Sequence, residues 1–104
     1  MLTLRTGGLD LTTEVIPSDL ESEVNQAFAN VQHTLEHAGG KGWAQVYKVR
    51  IYAEPLNEEM LELVVRNLRK HCPNHQPLLT VVGVSKLALE GMRIEVEVGA
   101  HLGA

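Results

Sequence analysis

One alternating stretch late in the sequence limits what this chain can become. Met92, Ile94, Val96 and Val98 alternate with Arg93, Glu95, Glu97 and Gly99. A period of two places the first set on one face of a strand and the second on the other. Such a strand needs an apolar cover on one side only. Two upstream segments have the spacing to supply that cover as helices.

The first helix opens at Ser18-Asp19-Leu20-Glu21, which fits a capping box with Ser18 as N-cap and a carboxylate three residues on. Leu20, Val24, Phe28 (or Ala27), Val31 and Leu35 then form one apolar stripe. Gly39-Gly40 ends it, since glycine tolerates the left-handed cap conformation. The second helix starts after Pro55-Leu56-Asn57, with Asn57 as N-cap, and runs to about His71. Its stripe is Met60 or Leu61, Val64 or Val65, and Leu68, and Pro73 stops it.

Strands fill the remaining periodic segments. Residues 2–6 read as a short strand cut off by Gly7-Gly8, and residues 9–17 as loop. Residues 45–53 read as a strand with Tyr47, Val49 and Ile51 on one side and Val46, Lys48, Arg50 and Tyr52 on the other. Residues 78–84 form the next strand, residues 87–91 a turn, and residues 92–100 the last. The order is βαβαββ in a single α+β domain spanning residues 1–104. Helix-connected strands favour parallel crossovers, and the last two strands can pair as a hairpin. The expected product is one mixed sheet with both helices on one face. The other face would then carry Lys48, Arg50, Arg93, Glu95 or Glu97. Packing that face against identical subunits, with charged groups meeting in clefts, resolves its mixed character.

Composition supports a small domain that gains from association. The chain has 104 residues, and one Trp, two Tyr and one Phe are its only aromatic side chains. Its core must therefore be built mostly of Val and Leu. A domain this short buries only about 60–70% of its unfolded surface. The net charge of −4 argues against non-specific nucleic-acid binding, which needs a basic footprint. The single Cys72 cannot form an internal disulfide, which points to a reducing compartment. No apolar run reaches the ~18 residues of a membrane span. Met1-Leu2-Thr3-Leu4-Arg5 is too short and too polar for a signal peptide. A soluble cytoplasmic protein is expected.

Several words occur in a telling order: Gly7-Gly8-Leu9-Asp10, Gln26-Ala27-Phe28-Ala29-Asn30-Val31, Ala38-Gly39-Gly40-Lys41-Gly42-Trp43 and Gln45-Val46-Tyr47. Pro55-Leu56-Asn57, Val65-Arg66-Asn67, His75-Gln76-Pro77, Val82-Gly83-Val84 and Met92-Arg93-Ile94-Glu95-Val96-Glu97 follow. No single word is specific, but together the chain resembles the YjgF/RidA family, most closely its fungal-type branch. That resemblance implies a chorismate-mutase-like fold and a homotrimer with ligand clefts between subunits. It implies hydrolysis of reactive enamines and imines to carbonyl compounds and ammonia, with no cofactor. Some relatives carry an older label as endoribonucleases or translation inhibitors.

The resemblance also shows departures. An arginine that binds the substrate carboxylate is expected just after the proline opening the penultimate strand. Alignment on Pro77 and Val82-Gly83-Val84 places Leu79 there, and leucine cannot hold a carboxylate. The family cysteine falls on Val81, and a Ser-Gly-Gln segment falls on Leu4-Arg5-Thr6. The chain starts about one strand late, so the stretch that carries a pocket tyrosine has no counterpart. Glu97 keeps the position of the cleft glutamate, and Thr80 is expected beside it. The implied substrate site is therefore Glu97 with Leu79 and Thr80, taking a substrate other than a typical amino-acid-derived enamine.

Imine hydrolysis needs a water aimed at carbon and a proton moved to the leaving amine. One carboxylate, Glu97, can do both in turn. Alternatively Glu97 pairs with Arg93 or Arg50 across a subunit boundary. His33 and His37 have the i, i+4 spacing of a zinc pair, but no third ligand is evident, and two solvent-facing histidines opposite the apolar stripe are the better reading. His71, Cys72 and His75 are close in sequence, which does not give a metal or nucleophile geometry. Trp43 reads as a packing residue at the strand entrance. Three functions remain: an imine or enamine hydrolase, a trimer that binds a small molecule without turnover, and a ribonuclease or translation inhibitor, which the acidic charge disfavours.

Overall fold

A computed structural model of the protein describes residues 2–101. The elements run β1 (Leu2–Gly7), α1 (Leu20–His37), a 3₁₀ turn (Gly42–Gln45), β2 (Val46–Ala53), α2 (Glu58–His71), β3 (Leu78–Gly83) and β4 (Ile94–Ala100). The four strands form one mixed sheet in the order β1-β4-β2-β3. β4 is antiparallel to both β1 and β2, while β2 and β3 are parallel. Both helices pack on one face of this sheet, as the stripes predict.

The expected hairpin of the last two strands does not form. β4 instead inserts between β1 and β2, and β3 is left on the edge. The reason is burial on both sides. Ile94, Val96, Val98 and Ala100 are all buried. A central position hydrogen-bonds both edges of this most deeply buried strand, whereas an edge position would leave one of them open.

Helix α1 begins one residue later than the capping box suggests. Asp19, not Ser18, is the N-cap, and its carboxylate accepts from the Ser22 amide at 2.9 Å. That bond holds the Asp19 carboxyl below its ordinary range. The helix ends in a Schellman motif: Gly40 N–H donates to Leu35 O at 2.9 Å and Gly39 N–H to Glu36 O at 3.0 Å. Gly39 takes the left-handed conformation, with φ at +91°. Asn57 caps α2 as expected, accepting from the Met60 amide at 2.9 Å. The buried stripe of α2 runs through Met60, Leu63, Val64 and Asn67, while Leu61 and Val65 stay exposed.

The core joins Val24, Phe28, Val31 and Leu35 of α1 and Met60 and Val64 of α2 to the inward residues of β2 and β4. Trp43 closes one end. Its ring stacks on Phe28 at 5.0 Å, and its Nε1–H donates to Phe28 O at 2.9 Å. At the other end Asn30 Nδ2 donates to Gly7 O and Leu9 O, fastening the end of β1 to α1. Gly8 lies so close to α1 that a Cβ there would meet the Glu23 carbonyl oxygen at 2.1 Å.

The facing of β2 differs from simple alternation at its start. Val46 pairs with Ala100, but Lys48 pairs with Gly99, so Tyr47 is an extra residue in a bulge. Val46 therefore shares the helix side with Val49 and Ile51, and Tyr47 is exposed. From Lys48 onward the expected phase holds. Arg93 also departs from expectation. It turns to the helix side, where Glu23 holds it, rather than joining the open face.

Candidate active site

The open face of the sheet is built from cross-strand rows. Arg5 of β1, Glu97 of β4, Arg50 of β2 and Thr80 of β3 stand in one row. Glu95, Tyr52 and Val82 stand in the next. Each of these residues takes its place from the period-two pleat, and on β2 and β4 the residues between them fill the core.

Side chains on this face link into a chain of polar contacts. Tyr52 Oη donates to Glu97 Oε1 at 2.7 Å. The Arg5 guanidinium forms an ion pair with Glu95 and lies over the Tyr52 ring, 4.3 Å from its centroid. Arg5 thus turns to the carboxylate one row over rather than to Glu97, its direct neighbour across the strands. The Tyr52 phenol, and after it the Glu97 carboxylate, hold the Arg50 guanidinium above its ordinary pKa. Glu97 is half-buried and fixed from one side by a phenol. Such a carboxylate can accept a proton from a bound water and pass it on.

The three residues expected at the site separate. Thr80 shares the face of Glu97, two strands away with Arg50 between them. Leu79 pairs with Val49 and lies on the opposite side, the side of the helices, together with the partly buried Val81. Within one chain, then, Leu79 does not stand beside Glu97. Adjacent strand residues cannot both face one pocket. Leu79 lines a cavity of about 770 Å³ between β3 and the end of α2.

Tyr52 and Arg5 are the functional candidates that sequence reasoning passed over. Alternation does put Tyr52 on the face of Arg50, but nothing in one sequence shows that β4 lies beside β2. Arg5 is a member of the row because β1 pairs with the far side of β4.

The histidine and cysteine candidates have other partners. His33 and His37 are exposed on α1, their rings edge to face at 4.7 Å. His71 packs on Phe28 and Trp43, with ring centroids 5.9 and 5.7 Å away, and burial and then Lys70 push its pKa down. His75 Nε2 is 2.9 Å from Val46 O. Since a carbonyl only accepts, that nitrogen carries the proton. Burial pushes the Cys72 thiol up, away from the thiolate a nucleophile needs. Among the described residues no three His, Cys, Asp or Glu side chains gather as a metal site. No helix of the described residues is long and apolar enough to cross a membrane.

Comparison with known proteins places this geometry. Residues 5–102 match the family described as Endoribonuclease L-PSP. No curated protein matches the sequence significantly. Among solved structures, YyfB of Yersinia pestis, from the Rid protein family, is 25% identical with a TM-score of 0.80, over 94% of this chain and 77% of that one. RidA of the Antarctic bacterium Psychrobacter is 20% identical with a TM-score of 0.81, over 92% and 77%. TdcF of E. coli, solved with bound serine, is 20% identical with a TM-score of 0.77, over 91% and 74%. The family match covers nearly all of the sequence and the fold agrees throughout, so the chain belongs to the endoribonuclease L-PSP family, the group that takes in YjgF and RidA.

Proposed function

We propose that this protein is an imine or enamine hydrolase acting on a small reactive metabolite at a cleft between subunits of a homotrimer. The observation that carries this reading is the Tyr52–Glu97 hydrogen bond on the sheet face that no helix covers. Glu97 takes a proton from water as the oxygen attacks the C=N carbon. It then returns the proton to nitrogen, and the carbinolamine collapses to a carbonyl compound and ammonia. Tyr52 keeps the carboxylate aimed through this exchange. TdcF with its bound serine gives a precedent for a small ligand on this fold. The exposed apolar edge of β3, with Leu78 73% exposed, supports assembly, because an uncovered edge strand invites pairing or packing. Assembly could bring Leu79 of one copy near Glu97 of another, which one chain alone does not do.

Leu79 offers an apolar wall where a carboxylate fork is expected. The substrate is accordingly not a typical amino-acid-derived enamine held at that position. The same leucine favours a second reading, a trimer that binds a small molecule without turnover.

Ammonia release decides between them. The assay uses freshly generated 2-aminoacrylate and imines without a carboxylate, with wild type and Glu97→Gln. Turnover that Glu97→Gln abolishes supports the hydrolase. No turnover of any imine leaves the binding protein.

A further inference from the structure

Helix α2 carries apolar side chains on two sides. Met60, Leu63, Val64 and Asn67 face the core, while Leu61 and Val65 are 40% and 37% exposed. These two line a shallow groove bordered by Glu58, Glu62, Arg66 and Arg69. The positions recur at three- and four-residue steps, so all six share one outward face of the helix. The core stripe alone would hold α2 to the sheet, and this second stripe has no part in that.

The charges on the outward face are sorted by sign. Both carboxylates stand in the N-terminal half of α2 and both guanidiniums in the C-terminal half. The helix dipole accounts for Glu58 in the first turn and Arg69 in the last. It does not account for Glu62 and Arg66, which lie outside the end turns. Those two do not pair along the helix either, since Arg66 reaches Glu21 of α1 at 3.3 Å. That contact is open to water, its side chains 63% and 57% exposed, so Arg66 can exchange it for another carboxylate with little loss. Among the described residues no carboxylate lies within 4 Å of Arg69, and no cationic group within 4 Å of Glu58 or Glu62.

A face that is acidic at one end, basic at the other and apolar between complements itself when turned end for end. An antiparallel copy, with its two-fold axis at the level of Val64, sets Glu58 opposite Arg69, Leu61 opposite Val65 and Glu62 opposite Arg66, each to about one residue's rise. A parallel copy would set like charges together. We propose that this face of α2 docks antiparallel on the same face of a second copy of the chain, as a weak two-fold contact. It stands apart from the hydrolase reading. The face points away from the sheet, so it leaves the open sheet face and the β3 edge to the trimer proposed above.

The test is sedimentation velocity of the full chain from about 10 μM to about 1 mM, where contacts at the small end of interface sizes are populated. Wild type is expected to double its mass reversibly toward the top of that range, from trimer to a pair of trimers, or from monomer to dimer if no trimer forms. Glu58→Lys with Glu62→Lys makes the face wholly basic, and Arg66→Glu with Arg69→Glu makes it wholly acidic. Each double variant changes only exposed positions and is expected to weaken the doubling about tenfold, with circular dichroism unchanged. Mixing the two variants is expected to restore it, because opposite charges then meet. Leu78→Glu is expected to lower the starting particle and leave the doubling in place. A wild-type mass that stays flat, variants that double as wild type does, a mixture no heavier than its components, or a doubling lost in Leu78→Glu each overturns the proposal.

Discussion

Glu23 on α1 and Arg93 just before β4 are 70 positions apart in sequence and meet through two hydrogen bonds. The Arg93 amide donates to Glu23 Oε2 at 2.7 Å, and its Nε donates to Oε1 at 2.6 Å. Arg93 also donates to Pro17 O at 3.2 Å and Ser18 O at 3.3 Å. The Glu23 side chain is wholly buried. This one contact therefore positions three things: the loop into α1, the start of β4, and so the register that brings Glu97 beside Tyr52.

Glu23→Ala leaves Arg93 with no carboxylate and its amide with no acceptor. Removing one partner of a buried pair costs about 3–5 kcal/mol. We expect a loss of that size in urea denaturation. Glu23→Gln keeps one acceptor and is expected to fall between wild type and Glu23→Ala. A Glu23→Ala variant within about 1 kcal/mol of wild type would show the pair to be replaceable by water.

That pair also marks where reading the sequence stops. Both helices, their glycine and asparagine caps and the apolar phase of β4 follow from local spacing, because caps and stripes are local physics. The place of β4 in the sheet does not, since period-two alternation says which way a side chain points and not which strand lies alongside. Glu23 looks like a solvent-facing first-turn acid until Arg93 arrives from the other end of the chain. The bulge at Tyr47 is silent too, because one extra residue leaves no compositional trace. For the site, the face of Glu97 and Thr80 was readable from parity. The same parity separates Leu79 from Thr80, as neighbours in one strand.

Tyr52→Phe tests whether the phenol orients Glu97. A hydrogen bond to a charged group is worth about 1.5–3 kcal/mol. We expect imine turnover to fall about 10- to 100-fold in Tyr52→Phe. Glu97→Gln should be inactive, and melting temperatures should change little, since both groups sit outside the apolar core. Unchanged turnover in Tyr52→Phe would leave Glu97 without the positioning role assigned to its partner.

His71 predicts a pH dependence. Burial against Phe28 and Trp43 lowers its pKa in the folded state. The unfolded chain then binds the proton first as pH falls. The stability linked to neutral His71 is complete above the ordinary histidine value of about 6.5 and is lost progressively as pH drops below it. His71→Phe keeps an aromatic ring on Phe28 and removes the proton. The fall in melting temperature between pH 7.5 and pH 5.5 should be smaller in His71→Phe than in wild type. Equal falls would assign the acid sensitivity to other groups.

Assembly is the last point, and the edge strand makes it testable. β3 shows Leu78, Leu79 and Val82 to solvent, and hydrophobic edge strands are kept in soluble proteins only when something covers them. Beside it the open face holds Arg5, Arg50, Glu95 and Glu97, charges of both signs that a copy of the same face can pair. Sedimentation equilibrium should therefore give a particle of three times the 11.5 kDa chain. Leu78→Glu puts a charge at the most exposed apolar position of the edge and should shift that particle toward monomer. It lies outside the apolar core, so the circular dichroism of the fold should survive. If imine turnover falls with the trimer while the fold persists, the active cleft is shared between subunits. If wild type sediments as a clean monomer, the cleft assignment fails, and Glu97 must act on the face of a single chain.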